Sequence, residues 1–297
     1  MAALKEIKAR IASVNNTLKI TSAMKMVASA KLHRVQAAAE ALSEYEKRLS
    51  GIASALCEPG SDEKRRVSPL ALPHRKMQRV AVVAFASDSS LCGGFNNNAV
   101  RALSAAVEEL RREGFARITL YPVGEKMVQA VTKAGYEANL AYRDLSGKPD
   151  YAQVARLADE LMAAYLKEDI DRVCVVYNHF HSMGHQAPRQ ELYLPMSFGR
   201  SEERSEQAAD DYICEPEAER LSEELLPYEL RTKLYEILLD HSTSEHAARM
   251  VAMQTATDNA QELLEELSLT YNKRRQQAIT DELADITQAD CRKGKAI

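Results

Sequence analysis

The sequence has no tryptophan, only five widely separated cysteines, and no apolar run long enough to cross a membrane. The odd number of cysteines, without Cys-x-x-Cys or zinc-like Cys/His spacing, predicts no disulfide framework and favours a reducing compartment. A spanning helix needs about 20 apolar residues, and charges from Lys5 onward argue against an export signal. The formal net charge of −4 argues against a general nucleic-acid binder.

Glycine and proline are absent from two long stretches, and each stretch is predicted to form one helix. No glycine precedes Gly51 and no proline precedes Pro59, and neither residue occurs between Tyr228 and Gln288. Nothing in these stretches therefore interrupts a helix, and at about 1.5 Å per residue the helices would be roughly 80 and 90 Å long. An ordinary domain cannot enclose such a rod, so each helix needs a partner of similar length.

An apolar stripe with alternating three- and four-residue steps runs from Leu4 to Leu56. Sustained over nearly eight heptads, this spacing is typical of a coiled coil. The C-terminal stripe begins at Leu230 and becomes alanine-rich in its middle, which suits close approach to a neighbouring helix. Because the two helices lie at opposite ends of the chain, they are predicted to pair with each other in antiparallel orientation. Polar residues interrupt the first stripe at Thr21 and Lys25, where they either fix the register or face something other than a helix.

Between the helices the hydrophobic period changes to that of short buried strands alternating with helices, which predicts a small α/β domain with a mostly parallel sheet. The fold class is thus α/β with long α: an antiparallel two-helix coiled coil from the N- and C-termini plus a central Rossmann-like α/β domain. The predicted strands are Val80–Phe85, Arg117–Tyr121, Arg172–Tyr177 and Gln190–Leu194, and the predicted helices are Ala99–Arg112, Glu125–Ala134 and 151–167. The predicted divisions are a coiled-coil helix at 1–56, a linker at 57–78, the α/β domain at 79–215, and a coiled-coil helix at 216–290 opened by Pro216, with a kink or break near Pro227.

Two segments invite a chemical interpretation. Gly93 and Gly94 follow a predicted strand and precede a helix, as in nucleotide sites, but the surrounding spacing matches neither common phosphate-binding motif; a tight turn is the simpler interpretation. His179, His181 and His185 lie close together in a predicted surface loop, without a cysteine or carboxylate spaced to complete a metal site. We therefore predict no catalytic, cofactor-binding or metal-binding residues. A nucleotide-binding α/β enzyme with coiled-coil arms, and a coiled-coil scaffold protein, stay open as alternatives.

Three regions resemble one known family. The opening LKEIKARIASVNNTLKITSAMKMVASAKL (Leu4–Leu32), the stretch SEHAARMVAMQTATDNA (Ser244–Ala260) and the ending LTYNKRRQQAITDELADI (Leu269–Ile286) resemble the terminal helices of the gamma subunit of rotary (F-type) proton-translocating ATP synthases. The turn LCGGFN (Leu91–Asn96) is similar to that family's central-domain turn. The resemblance covers residues 2–286 in the family's order.

This resemblance implies a central rotor shaft that couples proton flow to ATP synthesis or hydrolysis. The two terminal helices would run up the centre of a hexamer of alpha and beta subunits, with the catalytic sites on beta. The α/β domain would meet the epsilon subunit and the membrane ring of c subunits. One non-catalytic copy per complex would transmit torque, without a cofactor, nucleic acid or membrane span of its own.

The resemblance also implies contact residues. On the first helix, Met24 and Lys25 would touch the lower part of beta, and a basic face would meet an acidic segment of beta. Arg249 and Gln254 would lie in the same band on the C-terminal helix, and Gln276, Thr280 and Glu282 nearer its top. The basic face comprises Lys8, Arg10, Lys19, Lys31 and Arg34.

Two departures from the family's pattern occur. The family's turn usually continues from aspartate with a basic residue and glycine, whereas Ser89 and Ser90 stand here. The family's ending typically continues with a Gly-Ala pair, whereas Ala289 and Asp290 stand here, which affects contacts at the tip of the shaft. The chain also lacks the cysteine-pair insertion of the chloroplast kind and a transit peptide, so we expect a peripheral protein on the cytoplasmic face of the bacterial inner membrane.

Overall fold

The computed structural model describes residues 2–57, 68–196 and 218–293. These residues form two compact units, one of Met1–Ala28 with Met250–Ile297 and one of Ser29–Arg249. The main elements are α1 (Ala2–Cys57), β1 (Arg79–Phe85), α2 (Phe95–Arg112), β2 (Arg117–Val123), α3 (Glu125–Ala134), α4 (Tyr151–Leu166), β3 (Arg172–Ser182), β4 (His185–Leu194) and α5 (Ala218–Lys293).

Helix α1 buries its predicted stripe. Every stripe position from Leu4 to Ala53 is buried or half-buried, including the polar positions Thr21 and Lys25. Each buried apolar side chain contributes roughly 1.5–3 kcal/mol relative to exposure. The three- and four-residue spacing keeps all of them on one side of the helix, so the stripe is the face that α1 packs against its neighbours.

In the smaller unit, α1 and α5 pair in antiparallel orientation. Thr257 Oγ1 lies 2.9 Å from Thr21 Oγ1, and Lys25 Nζ donates a hydrogen bond to Gln254 Oε1 at 2.8 Å. Residue numbers therefore rise along α1 while they fall along α5. Ala260 on α5 is buried, as the alanine-rich stripe predicts. The two polar positions of the first stripe in the smaller unit, Thr21 and Lys25, thus face polar partners on α5.

In the larger unit, four strands form one sheet in the order β2-β1-β3-β4. Strand β1 is parallel to β2 and β3, whereas β4 is antiparallel to β3. One face of the sheet packs on α2 and α3 through residues such as Leu110 and Met127. The other packs on α4 and on the long helices, through residues such as Leu157, Leu230 and Ala53. Both parts of the predicted fold class are confirmed.

The predicted surface loop with three histidines is wrong. Strand β3 extends to Ser182, and β4 begins at His185, so a tight hairpin replaces the loop. His179 and His181 lie in β3, where residues 178–180 pair with residues 186–188. The hairpin extends because backbone pairing between adjacent antiparallel strands satisfies the donors and acceptors that a loop would leave unpaired.

Helix α5 continues through Pro227 without the predicted break. A proline inside a helix removes one backbone hydrogen bond and costs about 3 kcal/mol. Leu226 and Leu230, which flank it, are fully buried, and burial of two such side chains offsets this cost. A kink at Pro227 stays a prediction. Pro216 lies outside the described residues, as do the side chains of Ala289 and Asp290.

Candidate functional site

The crevice at the carboxyl ends of β1 and β3 is where a sheet of this topology most often binds a ligand. Here a side chain of α5 fills it. The His241 ring lies 5.6 Å from the Phe85 ring and 5.1 Å from the Phe95 ring, centroid to centroid, and its Nδ1 accepts a hydrogen bond from Asn178 N at 3.4 Å. His241 is fully buried. Sequence reasoning missed this contact, which no local pattern indicates.

Burial sets the protonation of this histidine. Removal from water lowers the pKa of His241 to about 3, because a charged imidazolium would lose its hydration without gaining a carboxylate partner. His241 is therefore neutral at physiological pH. Its ring fills the space between the sheet and α5 by packing against Phe85 and Phe95.

The turn between β1 and α2 uses its polar groups internally. Ser87 Oγ donates to Ser89 O at 2.6 Å, and Ser87 N donates to Asn96 Oδ1 at 3.0 Å. Leu91 and Gly93 adopt left-handed backbone angles, with φ of 70° and 60°. Glycine tolerates this region at little cost. The turn thus holds its own shape, as the simpler interpretation of Gly93 and Gly94 predicts.

Asp88, which follows β1, serves a structural role. Its Oδ1 accepts a hydrogen bond from Glu125 N at 3.1 Å, at the first residue of α3. Partial burial raises the pKa of Asp88, opposed by this backbone hydrogen bond. A carboxylate at a helix N-terminus occupies the position that a phosphate would need. At the carboxyl ends of the strands, this geometry therefore favours a structural contact between β1 and α3 over a nucleotide site.

Arg249 joins α5 to the same turn. Its Nη1 lies 2.6 Å from Glu245 Oε1, and its Nη2 donates to Ser89 Oγ at 2.8 Å. The Arg249 and Glu245 side chains are only 12% and 7% exposed. Burial raises the pKa of Glu245, opposed by Arg249. Ser89, one of the departures from the family pattern, thus accepts a hydrogen bond from a residue expected to contact a partner subunit.

Other expected contact residues lie in the smaller unit. Lys25 and Gln254 are brought together by the hydrogen bond between them, and Met24 is half-buried beside Lys25. Nearer the C-terminus of α5, Gln276, Thr280 and Glu282 are exposed. The Thr280 hydroxyl donates to the backbone carbonyl of its own helix, four residues earlier, at 3.0 Å.

The predicted basic face is exposed along α1. Its members are Lys8, Arg10 and Lys19 in the smaller unit and Lys31 and Arg34 in the larger unit. Arg10 pairs with Glu6 at 2.8 Å, with both side chains well exposed; such a pair contributes little stability. These cations are therefore accessible to an acidic partner.

Several apolar residues of the smaller unit are exposed. Leu263, Ile279 and Leu283 belong to the apolar stripe predicted for the C-terminal helix, yet their side chains lie exposed, so this part of the prediction is wrong. Sequence reasoning did not single out the other exposed residues, whose positions outside the predicted stripes could have identified them. Scattered exposed apolar residues are normal on a protein surface, but Leu269 is 73% exposed and Met26 62%. The set comprises Ile20, Met26, Val27, Val251, Leu263, Leu269, Ile279 and Leu283.

His179, on the β3–β4 hairpin, lines a cleft of about 440 Å³ between α1, this hairpin and α5. His179 Nδ1 lies 2.5 Å from Asp240 Oδ2, a partner from α5 that sequence spacing does not reveal. The His181 ring lies 4.6 Å from the His179 ring and 5.2 Å from the His185 ring. Within the described ranges, no group of three or more histidine, cysteine or acidic side chains is arranged to hold a metal ion.

Comparison with known proteins identifies a family. A family model described as ATP synthase matches residues 3–289. The chain is 48% identical over 287 residues to the ATP synthase gamma chain of Phocaeicola vulgatus, covering 96% of this chain and 98% of that protein. It is 39% identical over 292 residues to that of Cytophaga hutchinsonii, covering 96% and 97%.

Solved structures share the fold. A chain from the Euglena gracilis mitochondrial ATP synthase OSCP/F1/c-ring in rotational state 3 aligns with a TM-score of 0.62 at 20% identity, covering all of this chain and 97% of that chain. A chain from the Tetrahymena thermophila mitochondrial ATP synthase central stalk/c-ring aligns with a TM-score of 0.54 at 22% identity, covering 80% and 99%. None of the helices in the described ranges combines the length and apolar character of a membrane span.

Proposed function

We propose that this chain, which belongs to the ATP synthase gamma chain family, is the non-catalytic rotor shaft of its complex. It transmits torque between a proton-driven ring of c subunits and the catalytic sites on the beta subunits. It acts as a single copy, in contact with the alpha and beta subunits of the hexamer, the epsilon subunit and the c ring. It works on the cytoplasmic face of the bacterial inner membrane as a peripheral subunit.

The observation that carries this proposal is the arrangement of the smaller unit. Two helical segments without glycine or proline pair in antiparallel orientation there through Thr21, Lys25 and their partners, while eight large apolar side chains stay exposed. Several exposed apolar side chains on one paired segment are consistent with a surface that a partner protein covers. A close-fitting sleeve of alpha and beta subunits would cover these residues and still meet a different face of the rod at each beta subunit.

The basic residues of α1 suit an acidic partner. Lys8, Arg10 and Lys19 are exposed, and complementary charges speed association and orient a partner more than they add affinity. Met24, Lys25 and Gln254 would form one band of contact with the hexamer, and Arg249 is a further expected contact residue. Arg249 is largely occupied by Glu245 and Ser89, so we infer that it supports this band chiefly by fixing α5. Gln276, Thr280 and Glu282 would form a second band nearer the C-terminus of α5.

The stoichiometry of the purified complex tests the shaft function. We expect this chain to co-purify with three alpha and three beta subunits per copy. A 1:1 ratio to beta, or no association, would refute the proposal. Isothermal titration of the isolated chain with ATP tests the enzyme alternative. Micromolar binding that is lost on altering Asp88 or Asn96 would favour that alternative instead.

Substitutions in the second band test its residues. Replacing Gln276, Thr280 and Glu282 together by alanine is expected to lower proton pumping per ATP hydrolysed in membrane vesicles, because the shaft would lose polar contacts with its sleeve. Asn259→Ala is the matched control, since Asn259 is an exposed polar residue of α5 outside both bands. Equal pumping by both variants would remove these three residues from the contact surface.

A further inference from the structure

The connection between α5 and the α/β domain has a defined end point. Polar contacts from the domain reach α5 at Leu230, Asp240 and His241. Among the hydrogen bonds between α5 and the described residues of the α/β domain, the one from Arg249 to Ser89 lies furthest toward the C-terminus of α5. Arg249 is therefore the last point along α5 at which the α/β domain holds this helix by a hydrogen bond.

Arg249 is held in place from two sides. Glu245, one turn earlier on α5, lies 2.6 Å from its guanidinium, and both side chains are largely buried. Charge-assisted hydrogen bonds of this kind are shorter and about twice as strong as neutral ones. Because Glu245 fixes one edge of the guanidinium, the other edge points at Ser89 without further loss of side-chain freedom.

Ser89 belongs to a turn that cannot easily move. Its backbone carbonyl accepts hydrogen bonds from Ser87 Oγ at 2.6 Å and from Asn96 Nδ2 at 3.4 Å. Ser87 lies two residues beyond the end of β1, and Asn96 lies in the first turn of α2. A hydrogen bond to the Ser89 hydroxyl thus ties α5 to the sheet through a short series of fixed groups.

We propose that Ser89, Arg249 and Glu245 form a clasp, a set of contacts that holds α5 in a fixed orientation on the α/β domain. The two then turn together while torque passes between them. The clasp is a positioning device, since none of its residues touches a reacting group. The inference rests on the proposed shaft function, but the clasp itself is measurable in any assembled complex.

Hydrogen–deuterium exchange and proton pumping, both on the whole reconstituted complex, test the clasp. Ser89→Ala removes the hydroxyl acceptor and is expected to raise amide exchange in α5 around Arg249 about fivefold, the factor for one lost hydrogen bond, and to lower proton pumping per ATP hydrolysed. Ser89→Thr keeps a hydroxyl and should restore both readouts. Ser90→Ala is the matched control, because among the described residues the Ser90 side chain makes no hydrogen bond.

A double variant separates loss of the clasp from a general loss of structure. In Arg249→Met complexes, Ser89→Ala is expected to have no further effect, because the bond it would remove is already absent. Additive effects, unchanged exchange in Ser89→Ala, or raised exchange with unchanged pumping would each overturn the proposal. Failure of the wild-type complex to pump, or absence of this chain from it, would instead refute the shaft function.

Discussion

His241 makes the stability of the larger unit sensitive to acid. Its pKa is about 3 in the folded chain because of burial, against about 6.5 in an unfolded chain. As the pH falls below about 6.5, the unfolded state gains a proton that the folded state does not bind until near pH 3. The stabilising contribution is thus complete above pH 6.5 and is lost progressively in acid.

The size of the effect follows from this difference in pKa. Each pH unit within the window costs about 1.4 kcal/mol, so His241 alone lowers the free energy of unfolding by about 2 kcal/mol between pH 7 and pH 5. His241→Phe keeps an aromatic ring between Phe85 and Phe95 but cannot take up a proton. At pH 7 we expect it to be less stable by about 1–2 kcal/mol, because Asn178 N loses its acceptor.

Urea unfolding of the chain at pH 7 and pH 5 tests the reasoning. The difference in free energy of unfolding between wild type and His241→Phe should disappear at pH 5. His33→Gln is the control, since His33 is exposed on α1 and its replacement should leave the pH dependence unchanged. If His241→Phe loses stability in acid as steeply as wild type, His241 is not the buried neutral group described above.

Three further predictions concern packing and charge. Leu32→Asp places a charge where the side chain is 2% exposed, which should lower the stability of the chain by several kcal/mol. We expect this variant to fail to assemble, measured by co-purification, whereas Ser29→Asp on the exposed face should assemble normally. Gly124→Ala would place Cβ 2.0 Å from the carbonyl oxygen of Ala86 and should lower the melting temperature well below that of Gly114→Ala, which has a similar positive φ but open space. Burial raises the pKa of Glu229 to about 7. As this side chain ionises between pH 6 and pH 8, the free energy of unfolding of the wild type should fall by about 1 kcal/mol. Glu229→Gln should remove this pH dependence, measured by urea unfolding.

The regular elements were predictable because their signals are local. Helix α3 has the predicted bounds Glu125–Ala134, and β1 differs from its prediction by one residue. Both have hydrophobic periods that neighbouring residues along the chain determine. The histidine hairpin was not predictable in the same way. Its strands extend beyond the apolar run, and only their pairing with each other shows that they are strands.

The contacts between the α/β domain and α5 could not be predicted from local sequence either. His241 and Arg249 look like ordinary residues of a long helix, and their partners Asn178 and Ser89 lie 63 and 160 positions away along the chain. No periodicity connects residues at such separations. Expected partner contacts that depend on surface position, such as those of Gln276 and Thr280, were identifiable from resemblance alone and stay predictions.

The sequence by itself determined the two long helices, their antiparallel pairing from opposite ends of the chain, the alternating strands and helices, and the family. Each depends on the spacing of apolar residues, on the absence of glycine and proline, or on motifs read in order. Only the tertiary structure decided that His241 fills the ligand crevice and that Arg249 reaches Ser89. The physical reason is that hydrogen bonds and ring contacts act over a few ångströms, and folding alone brings these distant residues within that range.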